Sequence, residues 1–210
     1  MPDLAVLLAF ALVALGLVLT PGPNMIYLIS RAVSQGRRAA LVSLGGVALG
    51  FVIYMLCAAF GITVLLLAVP YAYDALRLGG ALYLLWLAWS AVRPGGRSPF
   101  ALRDLKPDGT RRLFLMGLLT SLLNPKVAVL YLSLLPQFIA PDHGSVLSQA
   151  LVLGSVQIAV SVAVNAMIAM GAGSIARFLR ERPFWSTLQR WLTATVLAAF
   201  AVRMATDAQR

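Results

Sequence analysis

The sequence contains little charge and almost no cysteine or histidine. Of its 210 residues, only 11% are charged and 60% are hydrophobic, well above the apolar share of about 45–50% in soluble domains. A single cysteine, Cys57, excludes an intramolecular disulfide, a CxxC redox pair and a cysteine zinc site. A single histidine, His143, excludes the HExxH metalloprotease motif and a multi-histidine metal centre. The composition therefore predicts a membrane protein without a metal or a cofactor.

Six long apolar stretches are candidates for membrane-spanning helices, each of which needs roughly 20 predominantly apolar residues. The first stretch follows Asp3 rather than a basic residue and lacks a small-residue cleavage site after it, which favours a retained segment over a signal peptide. The pattern predicts an all-α integral membrane protein with six transmembrane helices, at residues 4–30, 39–69, 73–92, 113–140, 145–176 and 188–204.

Basic residues are concentrated in alternate loops. The net charge of +10 would suggest a nucleic-acid partner in a soluble protein. Here 13 of the 17 basic residues fall in the loops after the first, third and fifth segments, with Arg190 counted at the adjoining start of the sixth segment. The positive-inside rule places those loops in the cytoplasm and both termini outside. We therefore predict a multi-pass protein whose partner is the lipid bilayer and not a nucleic acid.

A polar stretch divides the chain into two halves. Residues 93–112 form the only long polar segment, are rich in arginine and contain three prolines and three glycines. We predict that this segment is a basic cytoplasmic linker between a first half, 1–92, and a second half, 113–210. Because each half has three predicted helices, the two halves are expected to be inverted repeats in the membrane.

Both halves carry a break in their first helix. The stretch Thr20-Pro-Gly-Pro-Asn24 and the stretch TSLLNPK at 120–126 share a Thr-x-x-x-Asn spacing with prolines nearby. Proline lacks an N–H and clashes with the preceding turn, so each helix is predicted to be interrupted. The half-helix after a break directs N–H groups and a positive dipole end at the gap, which suits a carboxylate. Asn24 and Asn124 can cap those ends or bind a ligand.

The alternative interpretation of each break is a simple proline kink, which is common in transmembrane helices. Two breaks at corresponding places favour a transporter site at the middle of the membrane. Lys126 supports the interpretation as a transporter site, because it is the only charged residue between Arg112 and Asp142. A lysine inside the membrane indicates a functional site by default, and its alternative role is to pair with backbone carbonyls of the broken helices.

Acidic residues are missing from the interior of all six predicted helices. An intramembrane hydrolase would need paired aspartates or a serine with a histidine, and a redox protein two cysteines, so we predict that the chain is not an enzyme. A proton-coupled transporter usually carries its protons on an intramembrane carboxylate. The remaining candidates for that role are Asp74 and Lys126.

Two further patterns have open interpretations. Gln157, Ser161 and Asn165 form a polar stripe on the fifth predicted helix, which either lines a substrate path or bonds to another helix. Gly46 and Gly50 form a small-xxx-small pair, which favours close helix packing, with a homodimer contact or a path lining as alternatives.

Four motifs extend over essentially the whole chain. They are LTPGPN at 19–24, the basic loop SRAVSQGRRAAL with the following GGVALG at 45–50, LRLGGALYLLWLAW at 76–89 and LLNPKVAVLYLSLLPQF at 122–138. Together they resemble the lysine-exporter superfamily, and specifically its LysE/RhtB-type amino-acid exporters. The resemblance implies a bacterial inner-membrane exporter of amino acids or their derivatives, usually driven by the proton gradient.

The breaks and the resemblance together predict a secondary exporter that works by alternating access at a midplane site. No acidic residue is available to bind a cationic side chain, so neutral substrates resembling threonine, homoserine or leucine are favoured. The alternative is a structural or lipid-handling membrane protein without amino-acid flux. The predicted substrate-binding residues are Thr20, Pro21, Gly22, Pro23, Asn24, Asn124, Pro125, Lys126, Gln157 and Asn165.

Overall fold

The protein is all-helical in the part of the chain that its structure describes. The computed structural model describes residues 2–20, 22–68, 108–181 and 183–206, together with positions 78, 79, 81, 82, 85, 86, 89 and 93. The helices are α1 (Leu4–Leu19), α2 (Pro23–Gln35), α3 (Arg37–Ala68), α4 (Thr110–Leu122), α5 (Pro125–Val129), α6 (Val146–Glu181) and α7 (Pro183–Thr206). Most of the third predicted segment, 73–92, and of the linker, 93–112, lies outside the described residues, so the division into two halves stays a prediction.

Two of these helices are long and apolar enough to cross a bilayer, at Arg37–Gly61 within α3 and at Val146–Ala172 within α6. Two bent pairs pass the same test when each is taken as one span, which makes up to four spans among the described residues. The first pair joins α1 to α2 with a bend of 55°, and the second joins α4 to Lys126–Phe138 with a bend of 53°. The predicted breaks in the first and fourth segments are therefore confirmed.

Local chemistry explains the helix ends around the breaks. The Asp3 carboxylate accepts a hydrogen bond from the Val6 N–H at 2.8 Å and caps α1. Both α2 and α5 have a proline in their first turn, where the missing N–H costs nothing. Gly36 separates α2 from α3 with a φ of +87°, a conformation that only glycine adopts readily.

Several predicted boundaries need correction. Helix α4 begins at Thr110, so the last three residues of the predicted linker 93–112 are helical. Helix α7 begins at Pro183, five residues before the predicted sixth segment. The fourth predicted segment, 113–140, does not end as an α-helix, because a π-helical turn at Leu130–Leu134 and a 3-10 turn at Leu135–Phe138 follow α5. Pro136 has no N–H to continue an α-helical ladder there.

Helix α3 packs most closely on α4, through glycines on both helices. A Cβ atom added at Gly46 would collide with the backbone of Phe114, and one added at Gly117 would collide with the backbone of Ser43. A Cβ atom at Gly50 would lie 2.6 Å from that of Ser121. Of the three interpretations of the Gly46 and Gly50 pair, close helix packing is thus the confirmed one.

We predict that Gly46→Leu destabilises the protein by several kcal/mol. Ordinary overpacking of a core costs about 1–3 kcal/mol, and the cost is expected to be larger here because the added side chain meets the backbone of Phe114, which cannot move aside as a side chain can. Gly61→Ala is the matched control, since Gly61 lies on the same helix with nothing within 4 Å of an added Cβ atom. Thermal unfolding of the two purified variants in detergent measures the difference. Equal midpoints would contradict the packing argument.

The apolar side chains divide into an inner and an outer set. The buried core includes Phe10, Leu28, Phe51, Tyr131 and Leu153, and the rings of Phe10 and Phe138 meet edge to face at 5.1 Å between centroids. The other face of α1 exposes Leu4, Leu8 and Leu12, at least half of each side chain. A stripe of exposed leucines is costly in water and is compatible with lipid.

Candidate functional site

Lys126 links the two breaks. Its ammonium group donates hydrogen bonds to the backbone carbonyls of Leu17, at 2.8 Å, and Thr20, at 2.7 Å, at the end of α1. In an unbroken helix the Leu17 carbonyl would accept an N–H from residue 21, which is a proline and has none. The break therefore leaves carbonyl groups at the negative end of the α1 dipole, where a cation is favoured.

The ammonium group fits closely against Gly22. A Cβ atom at Gly22 would lie 3.0 Å from Lys126 Nζ and 3.1 Å from its Cε. The φ of Gly22 is −156°, which any residue adopts, so the glycine is needed for space and not for its backbone. The first break thus provides both the acceptors and the room for the lysine of the second.

Asn124 holds the start of α5. Its side-chain oxygen accepts a hydrogen bond from the Lys126 N–H at 3.0 Å, which is the N-cap geometry. The prediction that Asn124 caps its half-helix is confirmed. Asn24 lies one residue inside α2 and does not cap it; the N-cap residue is Gly22.

A small cavity lies where the breaks meet α6. Its volume is about 30 Å³. The polar side chains that line it come from three parts of the chain: Asn24 from α2, Asn124 and Lys126 from the second break, and Gln157, Ser161 and Asn165 from α6. Apolar walls are formed by Ala14, Leu17, Val18, Met25, Phe51, Val127 and Leu130.

The asparagines at the cavity are buried and incompletely hydrogen-bonded. Asn24, Asn124 and Asn165 are 6%, 1% and 2% exposed. Asn24 Oδ1, Asn124 Nδ2 and Asn165 Oδ1 have no hydrogen-bond partner among the described residues. Native proteins leave few buried polar atoms unpaired, so three such atoms on asparagines that line one cavity mark it as a candidate binding site.

The polar stripe on α6 lines the cavity and bonds to another helical element, while its place in a substrate path stays a prediction. Gln157 and Asn165 line the cavity, and Gln157 also accepts a hydrogen bond from the Tyr131 hydroxyl. Within the stripe, Gln157 donates to the Ser161 hydroxyl at 2.8 Å and Asn165 donates to the Ser161 carbonyl at 2.8 Å. Tyr131, which is fully buried, was not predicted, because nothing in its apolar sequence context marks it.

Thr20 contacts Lys126 through its backbone and not through its side chain. Thr20 presents its carbonyl to Lys126, while its hydroxyl donates to the Gly16 carbonyl at 2.9 Å. Pro23 is exposed and Pro125 lies in the first turn of α5. Pro21 lies outside the described residues. Among the residues that the structure covers, no group of three or more His, Cys, Asp or Glu side chains could hold a metal.

A second polar cluster lies between the end of α2 and the start of α4. Arg31 forms an ion pair with Asp108, and their side chains are 8% and 7% exposed. Asp108 also accepts a hydrogen bond from Gln35, at 3.2 Å, and forms an ion pair with Arg112, at 3.1 Å. In the sequence, Arg31 and Asp108 have no feature that sets them apart from the other charges of the predicted loops. Their contact places the second half of α2 and the residues just before α4 at the same end of the helices, which agrees with the prediction that the first and third loops share one side.

An apolar chain that is helical throughout its described part, with two broken helices around a cavity that polar side chains line, has the organisation of a membrane transporter. The LysE type translocator family matches residues 15–208. The chain belongs to that family. It is accordingly a membrane-embedded transporter and not an enzyme.

Named relatives cover most of the chain. It is 26% identical over 206 residues to a leucine efflux protein of Klebsiella pneumoniae, covering 95% of this chain and 94% of the relative. It is 32% identical over 173 residues to a homoserine/homoserine lactone efflux protein of Salmonella typhimurium, covering 82% of each. No solved structure matches the chain.

Proposed function

We propose that this protein exports neutral amino acids, resembling leucine, homoserine or threonine, across the bacterial inner membrane. The observation that carries the proposal is the meeting of both helix breaks at one cavity that is lined by buried polar side chains. The names of the relatives, leucine efflux protein and homoserine/homoserine lactone efflux protein, support amino acids as the substrate class.

The amino-acid carboxylate binds at the start of α5, near Lys126. Two of the three N–H bonds of the ammonium group are directed at Leu17 and Thr20, which leaves one for a substrate oxygen. Asn124 Nδ2 supplies a second donor. In this arrangement Lys126 both ties the broken helices together and binds substrate, so its two predicted roles do not exclude each other.

The cavity wall favours a neutral substrate side chain. None of the residues that line the cavity is acidic, so a cationic side chain would have no counter-charge there. The aromatic and aliphatic walls suit an apolar or weakly polar chain. This supports leucine-like and homoserine-like substrates over lysine-like ones.

Transport requires the elements around the cavity to separate. A volume of about 30 Å³ has room for water and not for an amino acid. We propose that two inverted three-helix halves, with both termini outside, rock about this site and expose it alternately to each side. Proton coupling, through Lys126 or Asp74, belongs to the same proposal.

The proposal is tested by measuring the intracellular accumulation of a panel of amino acids and dipeptides in bacterial cells with and without the protein. We expect cells that produce it to accumulate less leucine, homoserine or threonine, and to tolerate more of them. Lysine and arginine are the controls inside the panel and should be unaffected. If nothing in the panel is exported, the proposed function is wrong, whereas the family assignment stands.

A further inference from the structure

The three unpaired asparagine atoms at the cavity have defined hydrogen-bonding character. Asn165 Nδ2 is already engaged with the Ser161 carbonyl at 2.8 Å, so its free atom is the acceptor Oδ1. Asn124 Oδ1 is engaged with the Lys126 N–H at 3.0 Å, so its free atom is the donor Nδ2. These partners fix the orientation of both amides, and Asn24 adds a second free acceptor oxygen.

Leaving such atoms unpaired is costly. A buried donor or acceptor without a partner costs about 1–3 kcal/mol. The described residues include only five buried side-chain atoms of this kind, and three of them belong to asparagines that line one cavity. This concentration points to a ligand that supplies one acceptor and at least two donors.

We propose that Asn24 Oδ1 and Asn165 Oδ1 form a subsite for the α-ammonium group of the substrate. This inference rests on the proposed function, in which Lys126 and Asn124 Nδ2 bind the carboxylate. An ammonium group is the part of an amino acid that has donors and no acceptor, and the cavity has no carboxylate to receive it. Neutral amide oxygens therefore take that place.

The proposed subsite defines the substrate class as free α-amino acids with both charged groups present. The ammonium group lies between α2 and α6, the carboxylate lies at α5, and the side chain is left to the apolar wall that includes Met25, Phe51 and Leu130. A compound that lacks the amine leaves Asn24 and Asn165 unpaired. Because leaving these buried atoms unpaired costs free energy, the site should bind compounds without an amine more weakly than amino acids, as other sites built to bind a polar group do.

The test compares leucine with 4-methylpentanoate, which is leucine without its amino group. Displacement of radiolabelled leucine from the purified full-length protein measures the affinity of both. For the wild type we expect 4-methylpentanoate to bind at least about tenfold more weakly, because a buried hydrogen bond to a charged group is worth about 1.5–3 kcal/mol.

Two variants of Asn165 identify the acceptor. Asn165→Leu keeps the branched shape of the side chain and removes the acceptor oxygen together with the amide nitrogen that donates to the Ser161 carbonyl. The ratio between the two affinities should therefore shrink about tenfold, mainly through weaker leucine binding. Asn165→Asp places a charge beside the ammonium group, so the ratio should grow instead. Ser155→Ala is the matched control, because Ser155 is exposed on the same helix, and its ratio should equal that of the wild type.

The outcomes separate this inference from the proposed function. A wild type that binds no neutral amino acid overturns both. If the wild type binds leucine, but both Asn165 variants keep the wild-type ratio between the affinities for leucine and 4-methylpentanoate, only the ammonium subsite is overturned. Because Asn165→Asp is expected to increase the ratio, a general loss of folded protein cannot imitate the expected pattern.

Discussion

Replacing Lys126 by methionine is expected to reduce amino-acid export by about thirtyfold or more. Methionine keeps an unbranched chain of similar size but removes the ammonium group that bonds to the Leu17 and Thr20 carbonyls. In the proposed complex Lys126 also pairs with the substrate carboxylate, and loss of one partner of such a desolvated charge pair costs about 2–5 kcal/mol, which corresponds to about thirtyfold or more in affinity. Initial export rates of leucine from preloaded cells measure the effect.

Two further measurements separate the roles of the lysine. If Lys126 binds the substrate carboxylate, Lys126→Met should weaken the binding of leucine much more than that of leucinamide, which has no carboxylate. Lys126→Arg should also fail, because the planar guanidinium group is wider than an ammonium group and the Gly22 backbone packs closely against one side of Nζ. Export at the wild-type rate by the methionine variant would remove Lys126 from both the binding and the coupling role.

The second large effect is expected at Asp108. In Asp108→Asn the Arg31 guanidinium loses its ion-pair partner while it stays buried. Breaking a buried pair on one side typically costs about 3–5 kcal/mol. For a chain of this length that lowers the midpoint of thermal unfolding by about 10 °C.

A double-mutant cycle checks that the cost comes from the unpaired charge. Arg31→Gln combined with Asp108→Asn should recover much of the lost stability, because no buried charge is then left alone. Arg112→Gln is the control: Arg112 contacts the same carboxylate, but its side chain is 72% exposed, so its loss should cost less than about 1 kcal/mol. If Asp108→Asn and Arg112→Gln unfold at the same temperature, the buried pair does not stabilise the fold.

Sequence patterns were most informative where the chemistry is local. The helix breaks at 20–24 and 120–126 follow from prolines that lack an N–H, whatever surrounds them. The cap at Asn124 likewise depends on residues close in sequence. Lys126 could be singled out because a charge far from either end of an apolar stretch has few alternative explanations.

Contacts between distant segments could not be predicted in this way. The Lys126 ammonium group bonds to carbonyls more than 100 residues earlier in the chain. Asp108 lies in a polar linker that gave no reason to expect burial, yet it pairs with Arg31 across 77 positions. The third predicted helix and the pairing of the two halves remain predictions.

By itself, the sequence determined that this is an apolar, helical membrane protein with two broken helices and one lysine far from other charges in an apolar stretch. Hydrophobicity, proline chemistry and charge placement are local properties of the chain. Only the tertiary structure decided which atoms the breaks present to one another. It brought Asn24, Asn124 and Asn165 to one cavity with an unpaired atom each. The physical reason is that a hydrogen bond depends on position and direction in space, and those depend on how α2, α5 and α6 pack.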